Sequence, residues 1–159
     1  MGGNNIAGGA EAFVNNISFN ITLDLAKKLA FAIEQKAKEI GVNAVVAICN
    51  SGANPVLVEC MDNSYIASYD VALNKAFTVV ALKMPTSKLK TMTNPGDPLY
   101  GIQFTNNGKI VIFGGGDPLK IGDKIIGGLG VSGGSEEQDT FLSKYGSEYF
   151  SELYSKEMK

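Results

Sequence analysis

Apolar positions recur at two different spacings along the chain, and the spacing separates predicted helices from predicted strands. After Thr22, apolar residues return every three or four positions until Gly41, which predicts an amphipathic helix that Thr22 caps and the glycine ends. Two short apolar runs follow, Ala44–Cys49 and Val56–Met61, on either side of the polar turn Ser51–Asn54. Apolar runs of this length around a turn predict a β-hairpin.

The next helix is predicted from about Tyr65 to Leu82, with Ser64 as its cap and Pro85 as its stop. A shorter helical turn is predicted over Thr86–Met92. The apolar residues expected on the core face of the long helix are Ile66, Leu73, Ala76, Phe77 and Val80.

This second helix also carries a row of polar residues. Asp70, Asn74 and Thr78 are spaced four residues apart, and Lys75 lies beside them. An ordinary solvated helix face would show the same pattern. The functional interpretation is the polar wall of a small-molecule pocket, because a few convergent polar groups on an apolar surface are how such pockets are built.

Most of the glycines lie in the last third of the chain, around two further apolar runs. Lys109–Phe113 and Lys124–Val131 are rich in β-branched residues, and the segment 114–123 between them is rich in turn formers. We therefore predict two antiparallel strands joined by a long glycine-rich loop. Glycine inside the second strand indicates a bulge, or a ligand or helix pressed against the backbone.

Two features of the glycine-rich stretch have clear interpretations. Gly128, Gly130 and Gly133 spell G-x-G-x-x-G, but a dinucleotide-binding fingerprint must join a strand to a helix within a βαβ unit, so we reject it here. Ser135 followed by Gln138 is a capping box that predicts a C-terminal helix. We expect that helix to break at Gly146, with Ser147 capping a final amphipathic piece.

Composition excludes several function classes. The chain has no histidine, which removes Ser-His-Asp catalysis and His-ligated metal or haem. The net charge of −2 comes with no basic run, which argues against nucleic-acid binding. No apolar stretch is long enough for a membrane span, and no signal peptide is evident, so we expect a cytoplasmic protein. Cys49 and Cys60 are predicted to be unbonded, buried small hydrophobes.

Residues 1–20 are expected to form a flexible or amphipathic N-terminal segment, and residues 21–159 a single domain. Apolar residues recur at helical spacing from Ile6 onward. This segment would pack on the domain or a partner subunit, or act as a docking peptide for a larger assembly.

The order of short motifs resembles a known family over residues 20–147. The motifs are Cys60-Met61-Asp62-Asn63, Asn74-Lys75-Ala76-Phe77-Thr78, Gly114–Leu119, Gly127–Gly134 and Glu137-Gln138-Asp139. Together they resemble the GlcG/HbpS-like family, which includes the C-terminal domain of PduO-type proteins. The resemblance implies an α+β fold with a profilin-like layout, in which helices flank a central antiparallel sheet of about five strands. It also implies homo-oligomers, as dimers or larger assemblies.

The resemblance also implies a function. Family members are haem-binding or haem-handling proteins, and PduO relatives stand beside corrinoid adenosylation and propanediol utilization in bacterial microcompartments. We expect a cytoplasmic binding protein for haem or a related tetrapyrrole, with a corrinoid the weaker expectation because the adenosyltransferase domain is not recognisable here. Without histidine, an axial ligand to haem would come from Met61, Met84, Cys60, Tyr100 or Lys75.

The predicted ligand pocket lies between the second helix and the glycine-bearing strand, with no metal site of its own. Asp70, Asn74, Lys75 and Thr78 would form its polar wall, and Gly114, Gly115, Gly116, Ser132 and Gly134 would offer backbone N–H groups. Two alternatives remain open. The protein would be an enzyme acting on a small metabolite, with Lys75 as base or Schiff-base former beside Asp70, or a non-catalytic assembly module that residues 1–20 attach to a microcompartment.

Overall fold

A four-stranded antiparallel sheet organises the computed structural model, which describes residues 20–157. The strand order is β2-β1-β4-β3. The α+β class is therefore confirmed, whereas the expected count of about five strands is wrong within the described residues. The predictions for residues 1–19 lie outside them. The strands are β1 (Val45–Asn50), β2 (Pro55–Cys60), β3 (Gly116–Ile121) and β4 (Lys124–Ser132).

Helices cover both faces of the sheet. In the described part of the chain, the four α-helices are α1 (Leu23–Glu39), α2 (Ser68–Ala81), α3 (Thr86–Lys90) and α4 (Glu136–Glu157), and short 3-10 turns span Ile102–Phe104 and Asn106–Gly108. The helices α1 and α4 pack on one face and α2 on the other. Within residues 20–157, no helix combines the length and apolar character that crossing a membrane requires.

The larger core lies between the sheet and the helix pair α1 and α4. The helix α1 begins as predicted, because the Thr22 hydroxyl accepts the N–H of Leu25 at 3.2 Å. Its apolar stripe is buried against the inward residues of β1 and β4, and each large aliphatic side chain buried this way contributes about 1.5–3 kcal/mol. The buried residues of this stripe are Leu25, Ala26, Leu29, Ala30, Ile33 and Ala37.

The helix α2 packs directly on the backbone of β4. A Cβ atom added at Gly128 would overlap the carbonyl oxygen of Ala76, and one added at Gly130 would overlap that of Ala72. The glycines therefore admit the helix itself, because no side chain keeps the two backbones apart. The space expected for a flat ligand between the second helix and this strand is filled.

The strand β3 corrects the prediction for residues 109–123. Lys109–Phe113 forms no strand, and the segment expected to be a loop contains Gly116–Ile121, which pairs with β4. Turn-forming residues are tolerated here because β3 is an edge strand. Gly116 donates its N–H to the Thr86 hydroxyl at 2.9 Å, and Pro118 has no N–H to donate.

Two helix boundaries also differ from the prediction. The helix α2 begins at Ser68 without a side-chain cap, so Ser64 is not its cap, and Ile66 is 97% exposed rather than part of the core. The helix α4 continues through Gly146, where a Cβ atom would lie 2.6 Å from side-chain atoms of Ile33 and Leu129. This glycine permits close packing and does not break the helix.

The two cysteines are unbonded, as predicted. Cys49 is buried and its thiol donates to the carbonyl of Ala76 at 3.3 Å. Cys60 is exposed, so the prediction that both are buried is wrong for this residue. A bulge in the hairpin places Cys49 opposite Pro55 instead of Val56.

Candidate functional site

Lys75 is the centre of a buried polar cluster. Its side chain projects from α2 towards the sheet and is 0% exposed. The ammonium group donates to the carbonyl oxygen of Val131 at 2.8 Å and to the carboxylate of Asp139 at 3.2 Å. Lys75 therefore joins α2 to the end of β4 and to the first turns of α4.

Gly115 encloses the ammonium group from the side of β3. Its φ of +119° lies in the region that favours glycine, and a Cβ atom there would lie 2.5 Å from the Nζ of Lys75 and 2.9 Å from the Cβ of Asp139. A larger residue would displace the lysine or its partner. The glycine at this position is a packing requirement of the cluster.

Two carboxylates at the start of α4 hold the glycine-rich segments. Asp139 accepts the N–H of Gly134 at 2.8 Å, and Glu136 accepts the N–H of Gly114 at 3.0 Å. Glu136 also pairs with Lys90 at 2.6 Å. Acidic side chains in the first turn suit the positive end of the helix dipole, and here they also bind neighbouring loops.

Burial opposes both charges of the central pair. It lowers the pKa of Lys75, although the nearby Asp139 and Glu136 act in the opposite direction. Burial likewise raises the pKa of Asp139, against the effects of Lys75 and of the backbone N–H groups of Gly134 and Gly133. Hydrogen bonds from Lys90 and Gly114 lower the pKa of Glu136. A lysine with a lowered pKa is uncharged more often near neutral pH than an exposed one, and only the uncharged amine can act as a nucleophile or base.

Phe113 covers the cluster. The Nζ of Lys75 lies 5.0 Å from the centroid of its ring, a cation–π distance. The ring is 41% exposed, so one side faces the buried ammonium and the other is open to solvent. The outer surface of the cluster therefore includes an aromatic face.

The structure brings together only part of the predicted site. Asp70 is exposed, whereas Thr78 is buried and its hydroxyl donates to the carbonyls of Asn74 and Lys109 at 2.7 and 3.2 Å. Ser132 donates from its hydroxyl to that of Ser68 at 3.1 Å. The predicted partner of Lys75 was Asp70, but its partner is Asp139.

Backbone N–H groups proposed for a ligand have partners within the domain. Those of Gly114 and Gly134 bind Glu136 and Asp139, and that of Gly116 binds Thr86. These N–H groups therefore hold the residues of the cluster in place.

Two adjoining clefts lie beyond this cluster, at the end of α1. The first has a volume of about 600 Å³ and the second about 450 Å³, and they share Asn43 and Asn63. Gly134 of the predicted site lines the second cleft. The first is also lined by Glu34, Lys38, Glu59, Cys60, Met61 and Asp62, and the second by Gly41, Val42, Tyr65, Gly133, Gly134, Ser135 and Gln138.

The first cleft contains a pair of acidic residues that sequence analysis missed. Glu34 of α1 and Glu59 of β2 both line this cleft, and burial together with Glu59 raises the pKa of Glu34 to about 8. Neither residue belongs to a motif, and only the fold brings α1 and β2 together. Among residues 20–157, no group of three or more acidic, cysteine or histidine side chains is arranged to hold a metal ion.

This chain is similar to a family model and to known proteins over most of its length. The family model described as "Haem degrading protein HbpS-like" matches residues 21–148. An uncharacterized 15.0 kDa protein from the dhaT-dhaS intergenic region of Citrobacter freundii is 46% identical over 133 residues, which cover 84% of this chain and 94% of the relative.

Two further relatives concern PduO. The corrinoid adenosyltransferase PduO of Citrobacter freundii is 35% identical over 85% of this chain, but the match spans only 43% of PduO. The crystal structure of a PduOC:heme complex superposes with a TM-score of 0.77 and 34% identity, covering 80% of this chain and 93% of the other.

Proposed function

We propose that this chain binds haem or a closely related tetrapyrrole. It belongs to the family described as "Haem degrading protein HbpS-like". The observation that carries this proposal is the structural match to the PduOC:heme complex. Cobalamin is the weaker candidate, since the match to the corrinoid adenosyltransferase spans less than half of that protein.

The outer side of the Lys75 cluster is the part of the predicted site that fits a flat aromatic ligand. The gap between α2 and β4 is closed by backbone contact, but the Phe113 ring is part-exposed. A porphyrin stacked on this ring would gain the contact that aromatic pairs favour. Lys90, which is half exposed beside Glu136, is the cation that suits a propionate here.

The predicted site residues then support this surface from below. Lys75 is a positioning residue in this proposal, because its ammonium is enclosed and lies against the inner side of Phe113. Gly115 and Gly116 let the backbone pass close to Lys75, and Gly114 lets it pass close to Thr140 of α4. Asn74, Thr78, Ser132 and Gly134 fix the neighbouring elements, and Asp70 lies at the exposed rim of α2.

Two of the candidate axial ligands are already engaged within the domain. The Nζ of Lys75 is enclosed, and the sulfur of Met61 accepts the N–H of Ala44 at 3.3 Å. Cys60 and Tyr100 are exposed, and both thiolate and tyrosinate serve as haem ligands in proteins. Cys60 ends β2, which β1 and β4 separate from β3, so only Tyr100 remains a proposed ligand for a haem stacked on Phe113. Haem, when bound, would supply the iron chemistry.

A hemin titration followed by absorbance tests the proposal. We expect a saturable Soret shift, and Phe113→Ala should weaken the affinity about tenfold, the equivalent of about 1.4 kcal/mol. Phe31→Ala is the matched control, because Phe31 is an exposed phenylalanine on α1. If Phe113→Ala leaves the saturable binding unchanged, the haem site lies elsewhere on the protein. A non-saturating response of the wild type would overturn haem binding.

A second candidate function is an enzyme in which Lys75 attacks a carbonyl substrate. The observation that favours it is the burial that lowers the pKa of Lys75. Asp139 would be the group that receives or returns the proton. Incubation with small aldehydes and borohydride, followed by peptide mass spectrometry, should then give an adduct at Lys75. The absence of an adduct under conditions that label other lysines would eliminate this function.

We also propose that the protein forms homo-oligomers and that residues 1–20 attach it to a microcompartment in a propanediol-utilization context. The PduO relatives motivate this proposal. Light scattering of the purified chain tests the first part. Co-purification with microcompartment shells, with and without residues 1–20, tests the second, and an unchanged yield after deletion would count against docking.

A further inference from the structure

A partly exposed ion pair lies beside the Phe113 surface, by which we mean the exposed side of that ring. The Nζ of Lys90 lies 2.6 Å from one carboxylate oxygen of Glu136. The other oxygen of Glu136 accepts the N–H of Gly114 at 3.0 Å. Because Gly114 directly follows Phe113 in the chain, this single carboxylate connects Lys90 to the backbone beside the aromatic ring.

This pair differs from the buried pair of Lys75 and Asp139 in its access to solvent. The side chains of Lys90 and Glu136 are 53% and 35% exposed. Those of the buried pair are 0% and 6% exposed. An exposed ion pair contributes little to stability, because water solvates both charges when they separate. The exposed pair can therefore exchange partners readily, whereas the buried pair cannot.

Glu136 stays in place when Lys90 moves away from it. The N–H of Gly114 still binds its carboxylate, and Glu136 lies in the first turn of α4, where the helix dipole favours a negative charge. The hydrogen bonds from Lys90 and Gly114 lower its pKa below the model value of 4.5. The carboxylate is therefore ionised at neutral pH with or without Lys90.

A ligand carboxylate that binds Lys90 must compete with this fixed charge. A small carboxylate gains only the contact that it takes from Glu136, so it has no net advantage. A neutral aromatic ligand gains the contact with the Phe113 ring but nothing from Lys90. Only a ligand that carries both groups gains a stacking contact that offsets the exchange of partners at Lys90.

We propose that Glu136 is an internal competitor for Lys90, which lowers the affinity of the Phe113 surface for carboxylates and restricts it to flat aromatic acids. This inference rests on the proposed haem site and deepens it, because it names the ligand class as an aromatic ring with a carboxylate. Haem with its propionates belongs to this class. Glu136 takes Lys90 back when the ligand leaves, so the same residue favours release.

Titrations with hemin and with hemin dimethyl ester, in which both propionates are neutral, test the proposal. In Glu136→Gln, the side-chain oxygen still accepts the N–H of Gly114 but leaves Lys90 without an anionic partner. We expect hemin to bind this variant about threefold more tightly than the wild type, the effect of one exposed ion pair. The ester should bind both proteins equally. Glu137→Gln is the control, because it makes the same change of net charge on an exposed neighbour and should alter neither affinity.

Lys90→Gln tests the same pair from the other side and keeps the test valid if Glu136→Gln is unstable. It should weaken the binding of hemin about threefold and leave the binding of the ester unchanged. Equal effects of Glu136→Gln on hemin and ester, or no effect on either, would overturn the competition while haem binding stands. If hemin does not bind the wild type saturably, this inference and the proposed function both fail.

Discussion

The ammonium of Lys75 lies 3.2 Å from the carboxylate of Asp139, although the two residues are 64 positions apart. Both side chains are almost completely enclosed, with 0% and 6% exposure. Their contact joins α2 to α4 across the glycine-rich start of β3. In this fold, one buried ion pair therefore fixes the start of α4 against the middle of α2.

Removing one partner of this pair should strongly destabilise the folded protein. Lys75→Met would leave the Asp139 carboxylate buried without its cation, and we expect a loss of about 3–5 kcal/mol in the free energy of unfolding. The double variant Lys75→Met with Asp139→Asn should recover most of that loss, because no unpaired charge remains. Urea denaturation of wild type, both single variants and the double variant measures the coupling. Strictly additive effects would show that the pair does not act as a unit.

This burial also affects the use of Lys75 variants in binding experiments. A lysine on an open pocket wall could be replaced without harm to the fold, but an enclosed one cannot. Any loss of ligand affinity in a Lys75 variant must therefore be read beside its stability. Phe113 and Lys90 are the better probes, because both side chains are partly exposed.

The contact of α2 with β4 predicts the effect of filling one glycine. Gly130→Ala would place a methyl group against the carbonyl of Ala72, and we expect a destabilisation of about 2–3 kcal/mol from overpacking. Gly52→Ala is the control, since its methyl group would meet mainly the end of the Asn54 side chain. Thermal and urea denaturation of both variants measure the difference. Equal stability of the two variants would contradict the direct backbone contact.

A buried carboxyl group predicts a pH dependence of stability. Burial raises the pKa of Asp117 to about 6. The hydrogen bond that the Ser143 hydroxyl donates to this carboxyl group lowers the pKa and offsets part of the rise. The contribution of Asp117 to stability is therefore fully present below about pH 4 and is lost as the pH rises through about 6.

Asp117→Asn should remove this part of the pH dependence. In the wild type, the loss between pH 4 and pH 7 would amount to at most about 3 kcal/mol, at about 1.4 kcal/mol per pKa unit. Urea denaturation at several pH values measures it in both proteins. A variant with the same slope as the wild type would show that Asp117 is not the responsible group.

The start of α4 provides a test of local structure. The Ser135 hydroxyl accepts the N–H of Gln138 at 3.1 Å, and the Gln138 side chain accepts the N–H of Ser135 at 2.9 Å. Ser135→Ala should cost about 1 kcal/mol, because it removes the cap. Ser151→Ala, on the exposed side of the same helix, should be neutral or slightly stabilising. A cost for Ser151→Ala as large as that for Ser135→Ala would argue against capping as the cause.

The sequence was sufficient wherever the deciding interactions are local. The cap of α1, the β1–β2 hairpin and the capping box of α4 each involve residues within a few positions of one another, and all three are confirmed. It was misleading where a tertiary contact overrides the local preference. Gly146 is a poor helix residue, but it lies where α4 meets Ile33 and Leu129, so the helix continues through it.

The candidate site shows the same limit. Helical spacing identified Lys75 as unusual but could suggest only partners on its own helix, so Asp139 was missed. Glu34 and Glu59 each resemble ordinary surface residues in the sequence. They line one cleft only because the sheet places β2 beneath α1, and no local pattern contains that information.

The two edges of the sheet differ in what they offer to another strand. On β3, the Thr86 hydroxyl already takes the N–H of Gly116, and Pro118 has none, so an incoming backbone would find no donor at either position. On β2, every residue after Pro55 has an N–H, and the alternate ones that do not face β1 lie on the open edge of a strand that is partly exposed along its length. We therefore expect that a further strand from another chain would add to this sheet at β2 and not at β3.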